Sequence, residues 1–330
     1  MHWKLQLQDL LRRHNGQHIR RNKIISAKTQ QERARILFLC FKQLREANFM
    51  IANVTNLRGK HIEALTERWA KEELAASTIQ ARLSVLRGFA VWIGKPGLVR
   101  EPEHYLPKHI VQRSYVARED KSWVGHGVDF DEVLTRLAAE DSHVAMQVRL
   151  IRAFGLRRKE AVMLKPNRAD KGGYLAVGDG TKGGRDRVVP IDSNEKRAVL
   201  DAAKALAGSS MDAHMGSPGR TLQQNLDRIS NLVRKHGIAK ADLGVSLHGL
   251  RHEYSHSRYR EKAGAEIPLK GGVTDRETER AARLEVSEEL GHSRERVTSA
   301  YYGPIATPAQ RRRAAEAGSP VDEDIPVSTT

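Results

Sequence analysis

The chain has 330 residues, 39% of them hydrophobic and 29% charged, which is enough for two domains that each bury a core. Its 56 Lys and Arg against 40 Asp and Glu give a net charge of +16, which selects a polyanionic partner, nucleic acid by default, and opposes self-association until that partner is present. No apolar run approaches the roughly 20 residues that span a bilayer, MHWKLQLQDLLRRHNG at the start lacks a signal-peptide core and cleavage site, and the single Cys40 excludes an internal disulfide framework. A cytoplasmic protein with no membrane partner is expected.

Residues 1–25 carry six basic residues against one acidic and read as a basic N-terminal extension. Residues 26–115 read as a small helical domain. The stripe around 30–47 includes ILFLCF and makes Cys40 a buried structural thiol rather than a nucleophile. Ile62, Leu65 and Trp69 mark a second helix. In STIQARLSVLRGFAVWIGKP, Ile79, Leu83, Leu86, Ala90 and Ile93 form one face, Ser77 and Gln80 suit a capping box, and Gly94 and Pro96 end the helix. The stretch 96–121, with three prolines and no sustained period, reads as a linker into a second domain, placed at 116–310.

Within that second domain, helices are predicted at about 129–140 and 143–164. YLAVGDGTKGGRDRVVPI follows, two β-prone runs around a Gly-rich turn, and predicts a hairpin. Further helices are expected at about 194–207, at 220–236 with Leu222, Leu226, Ile229 and Val233 on one face, and at 248–261. Residues 311–330 read as a disordered tail, because 314–330 hold four acidic residues, no Lys or Arg, and little to bury. The fold class expected is mainly α with a small β-hairpin: a helical domain followed by a mixed α/β domain.

Four clusters carry candidate chemistry. In RAFGLRRKEAVML, Arg157 and Glu160 share a helical face, so the carboxylate can hold the guanidinium; taken alone, such a pair also suits a surface salt bridge. Lys182 stands in the hairpin turn between glycines, either a solvated turn lysine or an ammonium that reaches into a cleft. In SLHGLRHEYSHSRY, His248 and Arg251 lie one turn apart, and a planar guanidinium beside an imidazole suits phosphate chemistry. His248, His252 and His256 also recur every four residues, as zinc ligands can, but Arg251 among them would repel a dication and no Glu follows His248, so no metal is expected. In LGHSRERVTSAYYG, His292 precedes the adjacent Tyr301 and Tyr302, which point about 100° apart on a helix, so only one can face the target of His292.

Taken in order, Gly-Leu-Arg, hairpin lysine, His-x-x-Arg-His, Leu-Gly-His and tyrosine, these pieces resemble the catalytic domain of the tyrosine recombinases, the phage-integrase family. The resemblance covers about 122–305, and 26–115 is similar to the family's core-binding domain. It implies that Arg157 and Arg251 clamp a scissile DNA phosphate, with Glu160 bracing Arg157. Lys182 would protonate the departing 5′ oxygen, His248 would assist proton transfer, and His292 would hydrogen-bond a nonbridging oxygen. The family's nine-residue spacing from the Gly-His histidine selects Tyr301 as the nucleophile. The implied protein is a bacterial, nucleoid-associated, site-specific recombinase of a mobile element. It acts on double-stranded DNA as a homotetramer through a 3′-phosphotyrosyl intermediate, with no cofactor, metal or ATP.

The rival readings are a type IB topoisomerase-like relaxing enzyme with the same residue set, and a catalytically silent DNA-binding protein of the same fold. Arg251 and His292 are separated by 40 residues, about twice the family's interval, and the surplus at 262–283, with Gly264, Gly271 and Gly272 and many charges, reads as a surface insertion.

Overall fold

The computed structural model describes residues 2–18, 23–181, 184–292 and 298–317, with side chains to residue 313. The chain divides between Ser114 and Tyr115 into two compact units.

In the first unit, α1 (Trp3–His14), α2 (Ala27–Glu46), α3 (Gly59–Lys71) and α4 (Ala76–Trp92) are followed by single turns α5 (Pro102–Tyr105) and α6 (Lys108–Val111). The apolar stripes converge as their periodicity requires: Ile36, Leu37, Cys40, Phe41 and Leu44 from α2 meet Ile62, Leu65 and Trp69 from α3 and Ile79, Leu83, Leu86 and Phe89 from α4. The one polar atom of the buried Trp69 is satisfied, its Nε1 donating to Gln43 Oε1 at 2.9 Å. Burial pushes the Cys40 thiol up to about 12, so it stays protonated and inert.

Two expectations are corrected here. The first 25 residues are not a separate extension: Trp3, Leu7 and Leu10 of α1 are buried in the same core, with the Trp3 ring stacked on Phe41 at 6.1 Å. Nor do Ser77 and Gln80 form a capping box. The helix begins two residues earlier than a Ser77 cap would place it, with Ala75 at the cap and no side-chain cap bond. Gln80 instead donates to Val111 O at 2.7 Å, a tertiary bond that fixes α6.

The second unit is built around α8 (Ser142–Phe154), flanked by α7 (Phe130–Glu140), α9 (Arg158–Met163) and α11 (Asn194–Ala207), with the short α10 (Pro166–Ala169) packed on α11. The predicted hairpin is present as β1 (Tyr174–Val177) paired antiparallel to β2 (Arg187–Pro190), with Leu175 opposite Val189 and Val177 opposite Arg187. α12 (Leu222–Lys235), α13 (Gly249–Ala263), α14 (Arg276–Glu289), α15 (Ser299–Tyr302) and α16 (Pro308–Ala317) complete it. α16 occupies the start of the stretch read as a tail; residues 318–330 lie outside the described residues.

The single helix expected at 143–164 is broken. Gly155 adopts φ +57, and a Cβ there would lie 2.5 Å from the Tyr254 ring, so the chain turns at a position only glycine fills and restarts at α9. The segment 262–283 is also not a surface insertion. Ile267 is buried, and Arg283 is fully buried with its guanidinium 5.4 Å over the Tyr302 ring. Its charge is met by Glu279, 2.9 Å away and also buried, which is shared with Arg311 at 2.6 Å. Charged residues read as surface in the sequence here form an ion triad, Arg283–Glu279–Arg311, beneath α15.

Removing Glu279 strands the Arg283 charge in the core. Glu279→Ala is therefore expected to destabilise the second unit by about 3–5 kcal/mol, measured by urea unfolding through Trp123, the one tryptophan of that unit. A loss below about 1 kcal/mol would show the triad to be solvated.

Candidate active site

The site grows from the break between α8 and α9. Arg157 sits at the N-cap of α9 with extended backbone (φ −75, ψ 152), and Glu160 three residues on reaches back to accept its backbone N–H at 2.7 Å and its Nη1 at 2.6 Å. Glu160 is fully buried and takes a second guanidinium, Arg187 from the first position of β2, whose Nη1 and Nη2 donate to its two oxygens at 2.8 and 2.7 Å. Burial pushes the Glu160 carboxyl up, but Arg187 and then Arg157 outweigh it and hold it at about 2. Sequence reasoning did not single out Arg187. The available signal was a charged residue at an inward-facing position of a strand whose alternate position, Val189, is core.

The C-terminal end of α14 supplies the second anchor. Its unpaired carbonyls point at cations, as a helix C-terminus favours. Glu289 O accepts Arg187 Nε at 2.7 Å; Leu290 O accepts both Arg157 Nη2, at 3.1 Å, and Arg251 Nη2. Gly291 follows at φ +66, where a Cβ would press within 3.0 Å of Arg187 Cδ, so glycine is required for the arginines to close on this turn.

Arg251, one turn into α13, is 0% exposed. Its Nη1 donates to Gly155 O, its Nη2 lies 3.4 Å from His292 Nε2, and its Nε donates to the Tyr301 hydroxyl at 3.3 Å. Tyr301 is 5% exposed, with its ring 4.6 Å from that of His252, 6.1 Å from that of His248 and 6.2 Å from that of His292. Its carbonyl accepts His256 Nε2 at 3.0 Å, and Asp120, paired with Lys270 at 2.9 Å, stands behind His256 at 3.7 Å. Ala117 N donates to Ser299 O at 2.8 Å, so the residues that open the second unit hold the start of α15.

Tyr302 points elsewhere. Its hydroxyl accepts Ser255 Oγ at 2.8 Å, its ring lies 4.8 Å from Tyr259, and burial raises its phenol well above the usual tyrosine range. One tyrosine therefore faces the arginines and the other is core, as the 100° step requires.

The two candidate histidines are held neutral. Crowding by protein, then the charges of Arg251 and Arg157, bring His248 and His292 down to about 4. His248, the N-cap residue of α13, is exposed as a residue where Arg251 is fully buried. The structure thus brings together Arg157, Glu160, His248, Arg251, His292 and Tyr301. Lys182 lies outside the described residues; Gly180, in the loop between β1 and β2, packs on α9, where a Cβ would sit 3.0 Å from Lys159 O. Among the described residues no group of three or more His, Cys, Asp or Glu is placed to hold a metal ion, and no helix is long and apolar enough to cross a membrane. The rings of His248 and His252 cross at 88°, and those of His252 and His256 at 80°.

Two family models match the sequence: "Phage integrase, N-terminal" over residues 13–99, and "Integrase" over 120–257. No curated protein matches it. Among solved structures, the Tn1549 transposon integrase in complex with transposon right-end DNA is 12% identical, with a TM-score of 0.61 over 96% of this chain and 99% of that one. A lambda integrase dimer bound to a COC′ core site is 16% identical, with a TM-score of 0.57 over 89% and 94%. Lambda integrase residues 75–356 bound to DNA are 17% identical, with a TM-score of 0.55 over 94% and 97%. At these identities the likeness is one of fold. With one family match on each compact unit and an integrase fold along the chain, the protein belongs to the tyrosine recombinase, or phage integrase, family.

Proposed function

We propose that the protein is a site-specific DNA recombinase that cuts and rejoins strands through a 3′-phosphotyrosyl intermediate on Tyr301. The observation that carries this reading is the Tyr301 hydroxyl 3.3 Å from Arg251 Nε, with Arg157 hung on the same Leu290 carbonyl as Arg251. A nucleophile and two forked cations around one point suit attack on a phosphodiester, because the cations stabilise charge that develops on five-coordinate phosphorus.

In this mechanism the Tyr301 oxygen bonds to phosphorus and the bond to the 5′ oxygen breaks with its electron pair. Lys182 protonates that oxygen, and neutral His248 takes the tyrosine proton. His292 donates to a nonbridging oxygen. The phosphotyrosine conserves the bond energy, so a 5′ hydroxyl from another strand reverses the step without ATP, and pairing two duplex sites calls for a homotetramer. Because Arg251 has no exposed surface, a phosphate reaches its guanidinium only when neighbouring groups such as Tyr301 move aside.

Three outcomes are expected. On a duplex nicked beside the scissile phosphate, which lets the short 5′-hydroxyl fragment leave, Tyr301→Phe should form no covalent adduct while still binding DNA. Tyr302→Phe should retain the adduct, losing one buried hydrogen bond worth about 1 kcal/mol of stability. An adduct that survives Tyr301→Phe and is lost in Tyr302→Phe would reverse the assignment, and none with wild-type protein on a verified site would overturn the recombinase reading. Relaxation of supercoils without sequence preference would favour the topoisomerase alternative.

Arg157→Lys and Arg251→Lys should each slow cleavage by about 100-fold or more at near-normal DNA affinity, since an ammonium cannot make the two-pronged contact. Wild-type cleavage rates in these variants would refute the clamp.

The third outcome concerns pH. A proton acceptor must be neutral, so activity falls as pH drops through its pKa in the free protein. With His248 held at about 4, the second-order cleavage rate should keep more than half its neutral value at pH 5.5. An unshifted histidine, with a pKa of about 6.5, would leave roughly a tenth.

A further inference from the structure

Helix α13 carries more than Arg251 toward the active site. Residues 251, 254 and 258 fall at i, i+3 and i+7, one stripe of the helix, and all three are buried against the C-terminal end of α14. Tyr254 Oη donates to Glu289 Oε2 at 2.6 Å. Arg258 grips the same carboxylate with Nη2 at 2.7 Å from Oε1 and Nε at 2.9 Å from Oε2. Arg258 is in turn held by Asp192 at 2.8 Å. None of these residues touches Tyr301, His248 or His292 through any of these bonds.

Their backbone consequences reach the site directly. Glu289 O holds Arg187, and the next carbonyl, Leu290 O, holds Arg157 and Arg251. The third acceptor of this set, Gly155 O, belongs to the residue whose missing Cβ makes room for the Tyr254 ring. Each carbonyl on which the three guanidiniums hang is therefore fixed by Glu289 or by Tyr254. A frayed helix end would let these carbonyls swing, and a clamp displaced by about 1 Å loses on the order of 100-fold in rate.

We propose that Glu289, gripped by Tyr254 and Arg258, is a positioning residue for the phosphate clamp, fixing the α14 carbonyls that aim Arg157, Arg187 and Arg251. This rests on the recombinase reading above. The network borders a cavity of about 360 Å³ lined by Tyr254, Arg258, Asp192, Lys196 and Glu253, so its polar atoms stand next to space that water can enter. Substitutions that keep volume but change charge are accordingly expected to fold.

The test is single-turnover cleavage on the nicked duplex, read beside DNA affinity and thermal melting of the full chain. Glu289→Gln keeps the size and one acceptor but loses the charge that pairs with Arg258. It should cleave about 10- to 100-fold more slowly, with DNA affinity within about threefold of wild type. Tyr254→Phe, which removes one hydroxyl, should slow cleavage about 3- to 10-fold and serves if the first variant folds poorly. The readout a merely structural role would not move is coupling to the clamp. In an Arg157→Lys background, where one of the three aimed cations is already displaced, Glu289→Gln should slow cleavage by a smaller factor than it does in the wild-type background. Effects that multiply instead, or near-wild-type rates in both Glu289→Gln and Tyr254→Phe, overturn the assignment. Failure of wild-type protein to form the adduct strikes at the recombinase reading, and so is distinguishable from failure of this one.

Discussion

Buried like charge is the constraint from which the second unit is organised. Arg157, Arg187 and Arg251 converge in a space where two unit charges 4 Å apart, at an effective dielectric near 20, repel by about 4 kcal/mol. One carboxylate, Glu160, accepts two of them, and the backbone carbonyls of Gly155, Glu289 and Leu290 accept the rest. Neutral dipoles do what a second carboxylate would do, without cancelling the net positive charge. By this count the site keeps a net charge of +2, of which a phosphodiester monoanion meets one and the further charge that develops on five-coordinate phosphorus meets the other.

That constraint explains local choices that propensity alone does not. Helix α8 stops at Gly155 because a carbonyl must be presented to Arg251 and the Tyr254 ring must fit behind it. Gly291 turns the chain at φ +66 so that the arginines can approach. Held neutral beside these cations, His248 and His292 add no further repulsion. The tyrosine pair follows the same division: Tyr302 and Arg283 anchor α15 in the core, leaving Tyr301 to face the cations.

Much of this was legible in the sequence, and what was missed has a common cause. Helical stripes such as Ile62, Leu65 and Trp69 are local patterns, and burial follows directly from them. The hairpin announced itself by its Gly-rich turn. Arg157, Arg251, His292 and Tyr301 could be read because they sit in short motifs taken in order. Contacts between distant segments left no such trace: Arg187 meets Glu160 across 27 residues and Glu289 across 102, and Glu279, Arg283 and Arg311 looked like solvent-facing charge until their partners were seen. Gln80 matched a local capping pattern but bonds 31 residues away, a tertiary partner overriding a local one. The basic start of the chain hid an amphipathic helix, since Trp3, Leu7 and Leu10 are spaced for one face among the charges.

The distribution of charge separates two tasks. The first unit, residues 1–114, has 21 Lys and Arg against nine Asp and Glu, whereas the second has 35 against 31. Most of the excess of +16 therefore resides in about a third of the chain. Where charge is in excess and exposed, as at Arg12 and Lys60, it attracts any phosphate backbone without regard to sequence or chemistry. Where it is balanced and buried, as around Glu160 and Glu289, it contributes little to encounter and instead fixes geometry. The proposed function calls for both, because a site held by buried ion pairs cannot also be the exposed, solvated surface that meets a duplex. Dividing the charge between the units lets changes in capture, through surface lysines and arginines of the first, leave the aiming of Arg157 and Arg251 untouched.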